Sequence, residues 1–215
     1  MTNEYRARDL FTADKIVDAA APPVVFVGLN GWLGLQAAAV GALGLAVALV
    51  GVRLGRGQRP LYAFSGLAGV LIGVGTALWS GDAAGFFLPG IVINAVMGVA
   101  SVVSILVKRP LVALFSAAIY RWPLGWYWQD RVRPAYSEIT WAWAALYLSR
   151  AALLGALVAR EAVGWLAVAR ILTGWPAFAI LVIATYAYVN WRLARLGAPT
   201  VQEWEARNSE PAPIA

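Results

Sequence analysis

Arg150 stands near the middle of an apolar run, Trp141 to Val158, that is long enough to cross a bilayer. A guanidinium at that depth costs about 3 kcal/mol on insertion scales, so it needs a partner. A fixed positive charge inside a membrane suits an anionic ligand, a phospholipid headgroup or a cluster of backbone carbonyls. By depth the best uncharged partner is Asn94, with Asn30, Gln36, Ser101, Ser104 and Ser149 as further candidates. Against the binding role stands a structural one, in which Arg150 snorkels or locks helices together through carbonyls and Asn94. Arg170 is a third candidate for ligand or lipid contact, although its place at the edge of a span favours an interfacial anchor.

Other chemistry is scarce. The chain has no histidine and no cysteine, which removes the usual general base, thiolate nucleophiles, disulfides and most zinc sites. Asp82, Asp130 and Glu161 fall in connections and Glu138 at the start of a span, so no carboxylate is placed at mid-membrane to relay protons. Nothing resembles a phosphate loop, a nucleophile elbow or a base-reading basic patch. No catalytic residue, metal or cofactor is expected, and an enzyme is disfavoured.

The elements that must position Arg150 are membrane helices. Of 215 residues, 61% are apolar and 13% charged, against about 25% charged in soluble domains, and the mean hydropathy is +0.68. The first twenty residues carry seven charges and no apolar signal-peptide core. The expected fold is an all-α polytopic bundle of about six transmembrane helices. A polar, partly amphipathic arm covers residues 1–21, with an interfacial stretch from Leu10 to Val17. The bundle covers 22–196, with spans at about 12–31, 35–52, 60–79, 86–107, 137–158 and 171–191. The polar tail is 197–215.

Particular residues draw those limits. Pro22 to Val52 is too long for one straight crossing, and Asn30-Gly31-Trp32-Leu33-Gly34 supplies a turn within it. Pro22-Pro23 predicts a kink in the first span. Leu111 to Tyr120 is too short to cross. With the following Trp122, Trp126, Tyr127 and Trp128 among Arg121, Arg131 and Arg133, residues 111–135 read as an interfacial segment. Residues 159–170 read as a short mixed connection, Thr200 and Glu203 as a capping box, and Pro211 to Ala215 as disordered.

Charge sets the orientation. With the N-terminus inside, 14 basic residues fall on the cytoplasmic side, only Arg160 and Arg170 outside, and Arg150 is embedded. Both termini are then cytoplasmic, and the net +6 is a matter of topology; nucleic acid is not an expected partner. Gly66, Gly69 and Gly73, the last two in GxxxG spacing, are candidate helix-packing positions. Arg59-Pro60-Leu61-Tyr62-Ala63 recurs as Arg109-Pro110-Leu111-Val112-Ala113, which reads either as a trace of duplication or as ordinary helix-start grammar.

Several local motifs occur in a recognisable order. Pro23-Val-Val-Phe26 opens the first span, Phe86-Phe87-Leu88-Pro89-Gly90 opens the fourth, and Ser104-Ile-Leu-Val-Lys-Arg-Pro-Leu111 closes it. Thr140-Trp-Ala-Trp143 with Arg150 marks the fifth, and Gly164-Trp-Leu-Ala-Val-Ala-Arg170 with Gly174-Trp175-Pro176 the sixth. Over residues 12–195 the chain resembles the actinobacterial membrane family labelled domain of unknown function 3159, itself loosely similar to the intracellular septation protein A group. The resemblance implies a plasma-membrane location and brings no activity. Two functions are therefore expected: a small transporter or channel-like protein for an anionic or lipid-like solute centred on Arg150, or a non-catalytic envelope or septation scaffold or accessory subunit. The partners are membrane lipids, anionic ones included, with a homo-oligomer or a membrane-protein partner left open.

Overall fold

The computed structural model describes residues 13–209. The interfacial stretch expected from Leu10 thus lies partly, and the Pro211 to Ala215 end wholly, outside the described residues. The described chain is all-α: α1 Ala13–Gly55, α2 Pro60–Ser80, a 3₁₀ turn Ala83–Phe87, α3 Leu88–Leu106, α4 Leu111–Tyr120, α5 Leu124–Tyr127, α6 Arg133–Ala159, α7 Val163–Leu172, α8 Trp175–Arg195 and α9 Val201–Ser209. Five stretches are long and apolar enough to cross a membrane: Ala21–Gly55, Ala63–Ser80, Ala83–Leu106, Arg133–Ala159 and Val163–Arg195. The chain is a polytopic membrane protein. It forms two compact units, Met1–Val92 with Ala152–Pro176, and Ile93–Ala151 with Ala177–Ala215.

In unit 1 the long α1 is broken at Gly34, whose φ of 82° and ψ of 176° are open essentially to glycine alone. In a straight helix residues 29 and 41 would lie about 18 Å apart. Here a Cβ on Gly41 would overlap the Leu29 side chain, so the two limbs fold back on each other. Helical dihedrals continue through Pro22 and Pro23, and the chain turns at Gly34. The core is built from small residues and phenylalanine: Ala38, Ala42, Ala46 and Ala77 with Phe26, Phe86 and Phe87, joined by Leu154, Leu166 and Ala167. Phe26 stacks on Phe86 with ring centroids 4.4 Å apart. After α2, Gly81 takes the left-handed conformation (φ 70°) and the Asp82 carboxylate accepts from Ala84 N at 2.9 Å. Residues 163–172, expected as a mixed connection, form the separate helix α7.

Unit 2 has a different core, made of Trp126, Tyr127, Val132, Tyr136, Ile139 and Val189, with Trp204 and Val201 packed against it. The aromatic segment after α4 is therefore not simply a headgroup belt. Trp126 is 3% and Tyr127 0% exposed, because α9 and the start of α6 cover them.

Candidate functional site

Hydroxyl groups fix the geometry of unit 2. α4 begins without a side-chain cap of its own, which leaves its first backbone N–H groups in need of acceptors. Ser104 on α3 accepts from Leu111 N at 2.9 Å, and Thr140 on α6 accepts from Val112 N at 3.4 Å. The helix ends at Arg121, a non-glycine residue in the left-handed region (φ 57°), and Trp122 then stacks on Tyr120 with centroids 5.0 Å apart. Tyr127 donates to Ser116 Oγ at 3.2 Å, and burial pushes the pKa of its phenol up.

The C-terminal segment is tied to the same region. Trp126 Nε1 donates to Pro199 O at 2.8 Å, and a Cβ on Gly125 would stand 2.9 Å from the Trp204 ring. The capping box expected at Thr200 and Glu203 is present, with Thr200 N donating to the Glu203 carboxylate at 3.0 Å and Glu203 N to Thr200 Oγ1 at 3.2 Å. On the other side, Trp143 Nε1 of α6 donates to Thr185 Oγ1 of α8 at 2.9 Å, and Trp143 meets Phe178 edge-on at 5.1 Å.

These elements border a cavity of about 1160 Å³ within unit 2, lined mainly from α4, α6, α8 and residues 198–205, with Ser101, Trp122 and Trp126. It is chemically graded. Trp143, Tyr147 and Phe178 line one end; Thr200, Gln202 and Glu205 line the other. The run from Phe178 to Ala194 along α8 spans about 24 Å, so the cavity is elongated. Phe115, Ile119 and Tyr120 of α4 and Val182 and Tyr186 of α8 all line it and are 40–74% exposed. Exposed apolar side chains on both walls leave it open along its flank.

The residues that sequence marked are distributed as follows. Arg150 is half-buried on α6, and its Nε is buried without a hydrogen-bond partner. Asn94 is buried on α3. A Cβ on Gly98 would stand 2.6 Å from the Leu148 side chain and 3.2 Å from its backbone nitrogen, so α3 and α6 nearly touch there. One turn back to Asn94 and two residues on to Arg150 bring both to about the same level of the helix pair. Neither lines the cavity, whose wall on α6 ends at Tyr147, one turn short of Arg150. Arg170 lies in unit 1, its guanidinium carbon 5.7 Å from the Phe87 ring centroid and 6.0 Å from that of Phe86. Of the glycines, Gly73 lies against Phe86, where a Cβ would approach ring and carbonyl to 3.0 and 3.1 Å. Gly66 faces the Arg53 guanidinium, and Gly69 has open space.

One ionic cluster escaped the sequence reading. Glu138 accepts from Arg192 through both carboxylate oxygens, at 2.7 and 2.8 Å, and from the Tyr188 hydroxyl at 2.5 Å. Tyr188 and Arg192 sit one turn apart on α8, and that i, i+4 pairing was the available signal; its partner, about fifty residues earlier, was not legible.

The family model described as a protein of unknown function, DUF3159, matches residues 13–195. No curated protein matches the chain, and no solved structure does. With most of the chain covered by that match, it belongs to the DUF3159 family.

Proposed function

We propose that the protein is a carrier for a lipid-like amphiphile, held in the elongated cavity of unit 2. The observation that carries this reading is the grading of the cavity along an open flank: aromatic at the Trp143–Phe178 end, polar at the Thr200–Glu205 end. A long apolar tail entering from the bilayer finds ring faces, while the head reaches hydroxyl, amide and carboxylate groups. The site therefore lies beside Arg150 and not on it. The charge asymmetry of the sequence supports a plasma-membrane protein with both termini cytoplasmic; maleimide labelling of Ser209→Cys in sealed cells would reverse that orientation.

The test is photolabelling of the full chain, reconstituted in lipid, with an alkyl amphiphile carrying a diazirine near the tail end. Cross-links are expected at residues 143–147 and 178–186, and excess unlabelled amphiphile should displace them. Leu71 and Ile72 of unit 1, which are exposed and do not line the cavity of unit 2, report non-specific lipid contact. Labelling spread evenly over exposed helix faces, undiminished by competitor, would overturn the carrier reading and favour a scaffold.

A further inference from the structure

The polar end of the cavity is covered by a short segment that folds on its own terms. α8 ends at a left-handed Gly197 (φ 58°), with Gly197 N donating to Ala194 O at 3.3 Å and Ala198 N to Leu193 O at 3.1 Å. That is the Schellman pattern, and a glycine adopts its reversed backbone at little cost. Ala198 and Pro199 then lead into α9, just beyond the end of an apolar span. These two residues line the cavity on one side. On the other they line a second space of about 540 Å³, bordered by Gln129, Arg131, Glu203 and Arg207. The connection thus has room on both faces.

α9 carries its own hydrogen bonds. The Thr200–Glu203 capping box, Arg207 Nε to Glu203 O at 3.3 Å and Asn208 Nδ2 to Trp204 O at 2.7 Å all close within residues 200–208. A swing of the helix as a unit breaks none of them. Gln202, Ala206 and Asn208 are exposed, while Val201 and Trp204 pack on the aromatic core. The apolar surface uncovered by undocking, and with it the cost, is small. Contacts with α5 latch the helix: Trp126 Nε1 donates to Pro199 O at 2.8 Å, and Trp204 lies over Gly125. Val201 and Gln202 meanwhile line the cavity. From this arrangement we infer that α9 is a gate on the polar mouth, hinged at Gly197 and latched at Trp126, that opens the cavity to water. The inference rests on the carrier reading and adds its second door. The tail enters through the flank, and the head is released past α9.

The experiment uses the full chain reconstituted in lipid. The protein has no native cysteine, so Val182→Cys places a single thiol on the cavity wall, where a charged maleimide cannot arrive through hydrocarbon. Its reaction should be slow. Gly197→Ala, whose added Cβ meets open space but whose left-handed backbone is penalised, should speed it about tenfold. Trp126→Phe, which drops the bond to Pro199, should speed it about fivefold. The alkyl diazirine probe should exchange faster in the same order. Leu71→Cys in unit 1 is the control and should stay slow in every background. Unchanged maleimide rates in both variants overturn the gate, while displaceable photolabelling at residues 143–147 and 178–186 keeps the carrier reading. Equal acceleration at Leu71→Cys also overturns it, because helices loosened throughout would admit the reagent anywhere. Faster maleimide entry with unchanged probe exchange makes α9 a mobile cover and overturns gating. Faster entry with no displaceable probe overturns the carrier reading, and the gating role with it.

Discussion

Unit 1 and unit 2 are cut from the same apolar chain but hold themselves together in different ways. Unit 1 packs small residues closely: alanines on the second limb of α1, Gly73 against Phe86, and a phenylalanine cluster filling what remains. Unit 2 packs large amphipathic rings and joins its helices through side-chain hydrogen bonds, as in Trp143 with Thr185 and Glu138 with Arg192 and Tyr188. Lipid supplies little hydrophobic drive between helices, so close van der Waals approach and polar cross-links are the two means available. The difference teaches where a ligand fits. Small-residue packing leaves little room between backbones, whereas rings held apart by directional bonds leave a cavity.

The contrast is open to attack first at Gly73. Gly73→Leu should lower the stability of the detergent-solubilised protein by about 2–3 kcal/mol through overpacking against Phe86, while Gly69→Leu should stay within about 0.5 kcal/mol. Equal losses at both positions would mean that close approach at Gly73 is not what holds unit 1. A smaller effect is expected in unit 2. A double-mutant cycle on Glu138→Gln and Arg192→Gln, read by thermal unfolding, should give a small but measurable coupling, as for solvent-screened pairs. No coupling would remove the polar cross-link from the account of unit 2.

The smallest effect is expected at Arg150. Because its Nε is buried without a hydrogen-bond partner, Arg150→Met should change stability by less than about 0.5 kcal/mol or raise it. Photolabelling of the cavity should be unchanged. A loss above about 1.5 kcal/mol, matched non-additively by Asn94→Ala, would instead make the guanidinium a lock between α3 and α6.

That inversion of emphasis reflects what a sequence can carry. The cost of a charge in an apolar run is local, so Arg150 is conspicuous before any fold is known. The turn within Pro22 to Val52 and the Thr200–Glu203 box are local too, and the structure has a glycine break at Gly34 and the expected pair of capping bonds. The cavity is not local. Its walls bring Phe115, Trp143, Tyr186 and Thr200 together from four parts of the chain, and no spacing rule connects them. Trp126 and Tyr127 show the same limit: aromatics among arginines fit a headgroup belt, and the approach of Tyr136 from α6 and of Pro199, Val201 and Trp204 buries them.

The interleaving of the two units along the chain has a consequence for biosynthesis. The core of unit 1 is completed by Leu166 and Ala167, made roughly 80 residues after Phe87, a delay of about 4–16 s at ordinary translation speeds. During that interval the ribosome is producing the first part of unit 2 while Phe26, Phe86 and Phe87 wait without their last partners. The nascent chain thus presents an unfinished aromatic patch inside the bilayer for seconds at a time. That is long enough for an insertase or membrane chaperone to engage it, and slow codons between residues 93 and 151 would lengthen the exposure.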